Sequence, residues 1–234
     1  MKLKITGTKN EANNYFSLIL EKPVNFSFYP GQYIDIELSV NGQVKSDRLF
    51  TISSSPTENF LMITTKKGFT DFKEAMVALQ IGDSISTSYP IGTFTLDESQ
   101  PAVFMTGGIG ITPFRSIVKY VVDQKLSTKI TLIYSNSDNN FLFKKELEDW
   151  QKQLPNLTIY YIVTSQVGRL DKDKFLNLYP KLFTLSPKNA SSQASLIFYL
   201  AGSPKMVDDF ASILLELEVD ETNIRYDRFD GYGY

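Results

Sequence analysis

In Tyr33-Ile34-Asp35-Ile36-Glu37-Leu38 the apolar side chains at 34, 36 and 38 alternate with carboxylates. That is the period of a strand with one buried face. Short segments of similar character occur near 2–7, 15–21, 47–53, 59–65, 84–88 and 93–96. Pro30-Gly31, Asn41-Gly42, Gly82-Asp83 and Ile91-Gly92 punctuate them as turns. One helical interruption, from about Asp71 to Leu79, sets Phe72, Met76 and Leu79 at helical spacing. Several short strands with regular turns predict a small closed antiparallel β-barrel over the first hundred residues.

After Gln100-Pro101 the pattern changes. Strands become continuous apolar runs, at Ala102 to Met105, Ile130 to Tyr134, Leu157 to Val163 and Leu196 to Leu200. Such runs suit a parallel sheet covered on both faces. Helical stripes separate them, with Phe114, Ile117, Val118 and Val121 on one and Met206, Val207, Phe210, Ile213 and Leu214 on another. Alternating strand and helix predicts a right-handed α/β domain. The polar stretch Ser186 to Ala194 reads as a surface loop, and no internal repeat is visible. The simplest division is 1–98 and 99–234.

A length of 234 residues suits two domains of roughly 100 residues each. The net charge of −2 gives no electrostatic reason to expect nucleic acid or an anionic membrane as partner. No apolar run approaches the ~18 residues of a membrane span, and MKLKITG reads as a first strand, not a signal peptide. A cytoplasmic location is the expectation. The chain has no cysteine and no histidine. It therefore cannot ligate an iron–sulfur cluster through thiolates, and it lacks the commonest general base and metal ligand. Its chemistry must need little proton shuttling by protein groups, or draw on a cofactor.

Residues 106 to 116 read TGGIGITPFRS. Gly107, Gly108 and Gly110 follow a buried strand; Thr112 is placed to cap a helix and Pro113 to open it. Ala201-Gly202-Ser203-Pro204 repeats this order, with Ser203 as cap and Pro204 in the first turn. Two helix N-termini would then face one sheet edge, where open α/β sheets bind ligands. Either turn alone is ordinary punctuation; both together favour a nucleotide site. A phosphate-loop NTPase is disfavoured, because no Gly-Lys-Ser/Thr follows the glycines. In the barrel, Asp47-Arg48-Leu49-Phe50-Thr51-Ile52-Ser53-Ser54 sets Arg48, Phe50 and Ile52 on one strand face and Leu49, Thr51 and Ser53 on the other. Arginine, aromatic ring and hydroxyl this close could hold a phosphate and a planar ring. A surface arginine beside a core phenylalanine is the plainer alternative.

Arg-x-Phe-Thr, then GGIGITPFRS, then AGSP before a helix resembles the ferredoxin–NADP reductase family over essentially the whole chain. The resemblance implies an antiparallel flavin-binding barrel followed by a nucleotide-binding α/β domain. It implies bound FAD, with FMN as a possible substitute, and NADH or NADPH as hydride donor. Arg48 would hold the flavin pyrophosphate with Thr70, Phe50 would line the isoalloxazine, and Thr51 would hydrogen-bond near flavin N5, with Ser53 close by. Gly107, Gly108, Gly110, Thr112 and Pro113 would pack against the nicotinamide nucleotide, and Gly202, Ser203 and Pro204 beside its ribose. The tail Phe229-Asp230-Gly231-Tyr232-Gly233-Tyr234, ending in Tyr234, resembles aromatic tails that cover the flavin.

Two departures bear on this. Ala201 stands where the family often has cysteine, which implies altered nicotinamide positioning without loss of activity. Val163-Thr164-Ser165-Gln166 lacks the arginine of NADPH-using members, a slight lean to NADH that nearby Arg169 counters. The implied function is a flavoprotein reductase feeding a separate carrier protein or oxygenase. Reduction of a small diffusible acceptor, such as free flavin, a quinone or a ferric chelate, stays open. So does a non-redox binding module on the same fold.

Overall fold

The computed structural model describes residues 1–40, 42–68, 70–179 and 196–229. Asn41 of the expected Asn41-Gly42 turn, Phe69, the polar stretch 186–194 and the tail residues 230–234, Tyr234 included, lie outside the described residues.

The N-terminal sheet contains β1 (Lys2–Asn10), β2 (Tyr15–Glu21), β3 (Tyr33–Val40), β4 (Gln43–Thr51), β5 (Phe60–Lys66) and β6 (Ser84–Thr87). Their spatial order is β4-β3-β6-β1-β2-β5, with every paired neighbour antiparallel. The sheet curls until its edges β4 and β5 meet through one bridge, Ile52 to Ile63, and a 2.8 Å bond from the Ser53 N–H to the Met62 carbonyl. Closure is thus narrower than a full ladder. The alternating residues fill the interior: Leu3, Ile5, Leu18, Leu20, Ile34, Ile36, Ile52, Leu61 and Ile63 are fully buried. Helix α1 (Asp71–Ala78) plugs this core with Phe72 and Met76.

The expected strand at 93–96 does not form. Ile91 makes a single bridge to Tyr33, and a Thr95 N–H bond to the Thr93 carbonyl (2.9 Å) turns the chain out of the ladder. Phe94 packs instead on Phe114 (5.7 Å between centroids) and Tyr199 (5.5 Å) in the second core.

That second core surrounds β7 (Ala102–Gly107), β8 (Ile130–Asn136), β9 (Leu157–Val163), β10 (Ile197–Gly202) and β11 (Ile224–Arg228). The order is β11-β10-β7-β8-β9, all parallel. Helices α2 (Ile111–Gln124) and α3 (Lys144–Gln153) contribute Phe114, Ile117, Val121 and Trp150 to one apolar cluster. Helices α5 (Lys172–Leu178) and α6 (Pro204–Glu216) contribute Phe175, Val207, Phe210 and Leu214 to the other; α4 (Thr164–Val167) is a single turn. Strand residues feed both clusters, Phe104 and Leu132 one, Val103 and Ile133 the other. This is why the runs are continuous and not alternating. Among the described residues, no helix is long and apolar enough to cross a membrane.

The turn into α2 differs from the expected cap. Gly108–Gly110 form a 3₁₀ turn that runs directly into the helix, so Gly110 holds the cap position and Thr112 and Pro113 lie inside the first turn. Thr112 Oγ1 donates back to the Ile109 carbonyl (3.0 Å). Proline is tolerated there because first-turn N–H groups have no intrahelical acceptor. The second turn matches its reading more closely: Ser203 caps α6 in extended geometry and Pro204 is the first helical residue. The Ser203 side chain makes no capping bond, however.

The glycines are needed by neighbouring protein. A Cβ on Gly110 would lie 2.3 Å from the Ala201 carbonyl oxygen and 2.7 Å from Gly202 Cα. The turn after β7 is therefore pressed against the end of β10. Gly110 has ordinary right-handed geometry (φ −59°), so helix propensity alone would make Gly110→Ala stabilising. The clash reverses that sign: Gly110→Ala is expected to cost about 2–3 kcal/mol in urea denaturation. A gain in stability would show that the two strand ends do not meet.

Candidate active site between barrel and sheet

A cleft of about 410 Å³ opens where the barrel meets the parallel sheet. Its barrel wall carries Arg48, Phe50 and Thr51 from β4, Tyr33 from β3, and Thr70, Phe72 and Lys73 from the start of α1. The facing wall carries Ile109 and Thr112 from the glycine turn and α2, then Asp227, Arg228 and Phe229 at the end of β11.

Strand pleating explains the barrel wall. Phe50 points inward and is 8% exposed, stacked on Phe72 at 6.1 Å with the rings 15° from parallel. Its ring belongs to the barrel core as much as to the cleft. Arg48 is exposed, and its backbone N–H donates to Asp35 Oδ1 (2.8 Å). Thr51 is buried at the cleft floor. Thr70 caps α1, its hydroxyl accepting from the Lys73 N–H (3.2 Å). Lys73 itself is nearly buried, and burial first, then the neighbouring Lys66 charge, hold its ammonium below the usual lysine range. This wall gathers positive charge out of water.

Across the cleft, Asp227 Oδ2 is out of solvent and has no hydrogen-bond partner among the described residues. Burial pushes its carboxyl up to about 6. Its backbone pairs with Ala201 of β10, and the next residues keep that register, with the Phe229 N–H donating to the Gly202 carbonyl (2.9 Å).

The structure thus brings Arg48, Phe50, Thr51, Thr70 and Thr112 to one cleft. Other expected site residues lie elsewhere. Ser53 is fully buried, its hydroxyl donating to the Met62 carbonyl (2.9 Å) and lying 3.0 Å from Thr64 Oγ1. Pro113 is buried in α2. A Cβ on Gly107 or on Gly202 would strike Met206, at 2.5 and 2.1 Å. Gly108 takes a left-handed turn (φ +53°) close to the Tyr15 hydroxyl, and its carbonyl accepts from Tyr134 (3.1 Å). Gly108, Ser203 and Pro204 do not line the cleft.

Sequence reasoning missed Lys73, Asp227 and Arg115. Lys73 could have been found from its place one helical turn past the Thr70 cap. Asp227 was hidden with its strand, because Ile224–Arg228 alternates polar and apolar residues in a short edge segment. Arg115 sits within the quoted motif, yet nothing in sequence marks it as buried. It is 2% exposed. Its Nε donates to Glu146 Oε2 (2.8 Å), Nη1 to the Ser53 carbonyl (2.8 Å) and Glu58 Oε2 (2.9 Å), and Nη2 to Glu58 Oε1 and Glu146 Oε1 (3.2 Å each). Phe143 and Trp150 flank its plane at 5.2 and 5.3 Å. Burial alone would lower its pKa, but the bonds to Glu58 and Glu146 outweigh that and raise it.

Residues 104–212 match the oxidoreductase NAD-binding domain family. A flavohemoprotein of Bacillus cereus is 26% identical over 220 residues, 87% of this chain and 53% of the relative. The toluate 1,2-dioxygenase electron transfer component of Pseudomonas putida is 23% identical over 205 residues, 87% of this chain and 59% of the relative. The chain therefore spans little more than half the length of these curated relatives. A ferredoxin–NADP⁺ reductase mutant from Plasmodium falciparum superposes with a TM-score of 0.81 at 20% identity, covering 97% of this chain and 95% of that one. Residues 104–212 thus carry an oxidoreductase NAD-binding domain, and the whole chain has the two-domain fold of ferredoxin–NADP⁺ reductases.

Proposed function

We propose that the protein is an NAD(P)H-dependent flavoprotein reductase that holds FAD and passes electrons to a separate carrier or oxygenase component. The observation that carries this reading is the pair of unlike walls across one cleft. Cations, a capped helix start and a hydroxyl on the barrel side face Thr112 and Asp227 on the sheet side.

The donor set fits a flavin dinucleotide. Arg48, Lys73 and the Thr70-capped start of α1 suit a diphosphate. Bound FAD would supply the hydride acceptor for the dihydronicotinamide and release electrons singly onward. Thr51 offers a hydroxyl to the ring edge, while Phe50 and Phe72 give the floor a stacked apolar backing. Thr112, Asp227 and Phe229 form the wall toward the nicotinamide. The residue division of 1–98 for FAD and 99–234 for the dinucleotide belongs to the same proposal.

NADH is the favoured donor. Thr164, at the end of β9, donates to the Asn136 carbonyl (3.2 Å). Arg169 lies on the surface nearby, 77% exposed in its side chain and 4.0 Å from Asp209, so the lean toward NADH is slight. A chain without cysteine or histidine needs its one-electron acceptor elsewhere. The Pseudomonas putida relative, described as an electron transfer component, supports a separate partner, and a cytoplasmic setting fits such a role.

Purified protein reconstituted with FAD is expected to absorb near 450 nm, as oxidised flavins do, and to bleach with NADH; colourless protein would sink the reading. Arg48→Ala should lower FAD affinity tenfold or more with little loss of stability, measured as flavin content after gel filtration. Thr51→Ala should stay yellow but be reduced more slowly in stopped flow; an unchanged rate removes Thr51 from the chemistry.

Asp227 makes a separate pH prediction for flavin-free protein. Burial pushes its carboxyl up to about 6 in the folded state, from 3.8 for an unperturbed aspartate. The folded state binds the proton more tightly, so this group's contribution to stability falls as pH rises from about 4 to 6 and is level above. Asp227→Asn removes the burden, worth roughly 3 kcal/mol at ~1.4 kcal/mol per unit. Urea denaturation should show the variant's advantage growing between pH 4 and pH 7. An advantage independent of pH would show that the carboxyl is not shifted.

A further inference from the structure

Resting on the reductase reading, we propose that Arg115 and Glu58 are positioning residues that fix the flavin wall of the cleft against the nicotinamide wall. The two walls belong to different domains, and hydride transfer demands that donor and acceptor be aligned within a fraction of an ångström. What aligns them lies just behind the cleft. Thr51 and Thr112 line the cleft; two and three residues further along the chain stand Ser53 and Arg115. Arg115 Nη1 donates to the Ser53 carbonyl at 2.8 Å, and the next residue, Ser116, donates its hydroxyl to the Ser54 carbonyl at 2.6 Å. These bonds grip the barrel backbone directly, immediately after the strand that carries Arg48, Phe50 and Thr51.

Glu58 completes the latch from the barrel side, taking both guanidinium nitrogens at 2.9 and 3.2 Å. Glu146 binds the same guanidinium but from α3, within the nucleotide-binding domain. The two carboxylates bind the same guanidinium from different domains, Glu58 being the more buried (12% against 37% side-chain exposure) and also accepting from the Ser55 N–H at 2.7 Å. Glu58 spans the join, and Glu146 orients Arg115 from its own side. All five guanidinium N–H groups are engaged, a geometry that a lysine cannot reproduce.

The test compares Glu58→Gln with Glu146→Gln. Each removes one negative charge from Arg115; a purely structural cluster predicts a loss of stability, larger for the more buried Glu58, with the rate of flavin reduction unchanged in both. The positioning role predicts that Glu58→Gln slows single-turnover flavin reduction by NADH 10- to 100-fold, with flavin stoichiometry kept and NADH affinity within threefold. Glu146→Gln should change that rate less than twofold. In flavin-free protein, amide hydrogen exchange at residues 51–58 and 111–116 should speed up more in Glu58→Gln than in Glu146→Gln. Should Glu58→Gln not fold, Ser116→Ala, which removes only the bond to Ser54, is expected to slow reduction 3- to 10-fold. Equal effects of the two glutamine variants on rate and exchange, or full-rate reduction in Glu58→Gln or Ser116→Ala, would overturn the positioning role alone. A wild-type protein that takes up no flavin, or that NADH does not reduce, would overturn the reductase reading and this role with it.

Discussion

One buried guanidinium holds the two halves of this molecule in register. Arg115 is removed from water at a desolvation cost that only close, complete pairing can offset. Two carboxylates, a backbone carbonyl and two aromatic faces provide that pairing. An apolar pair of equal volume could join two surfaces as firmly, since buried ion pairs often add little net stability over hydrophobic replacements. It could not fix direction. Hydrogen bonds to the Ser53 carbonyl and a bidentate grip on Glu58 define where β4 stops relative to where α2 starts.

Packing makes the same join continuous. Tyr15 and Met62 of the barrel and Phe94 of the connecting segment sit in one cluster with Phe104, Phe114 and Tyr199. Domain interfaces within a chain default to looser, more polar contacts and relative motion. Here apolar burial resists separation while the Arg115 cluster resists sliding, which is the combination a two-ligand cleft requires.

Much of this was legible in sequence where a single physical signal governed it. The alternation in β3 and the continuous runs of β7 to β10 report how many sheet faces are covered, and both sheets follow. Arg48, Phe50, Thr51, Thr70 and Thr112 could be named because local motif order placed them. What sequence left dark depends on contacts distant along the chain. Thr112 looked like a cap because the glycines before it were assumed to be non-helical; the structure winds them into the helix. Nor does sequence show that Gly110 is pressed against the backbone of Ala201 and Gly202, which leaves no room for a Cβ. β11 is an edge strand that alternates polar and apolar residues, unlike the continuous runs of β7 to β10, and Asp227 went unnoticed with it.

Asp227 and Arg115 show opposite treatments of buried charge a short distance apart. Arg115 is fully paired, and its charge is stabilised despite burial. Asp227 Oδ2 has no hydrogen-bond partner among the described residues, and its charge is destabilised. A fold that completes one buried polar network and leaves the other unfinished is separating two tasks, because an unsatisfied group costs stability wherever it occurs. The finished network lies behind the cleft, where rigidity helps alignment. The unfinished one belongs to a residue of the cleft lining, so its cost in stability falls where the two walls part.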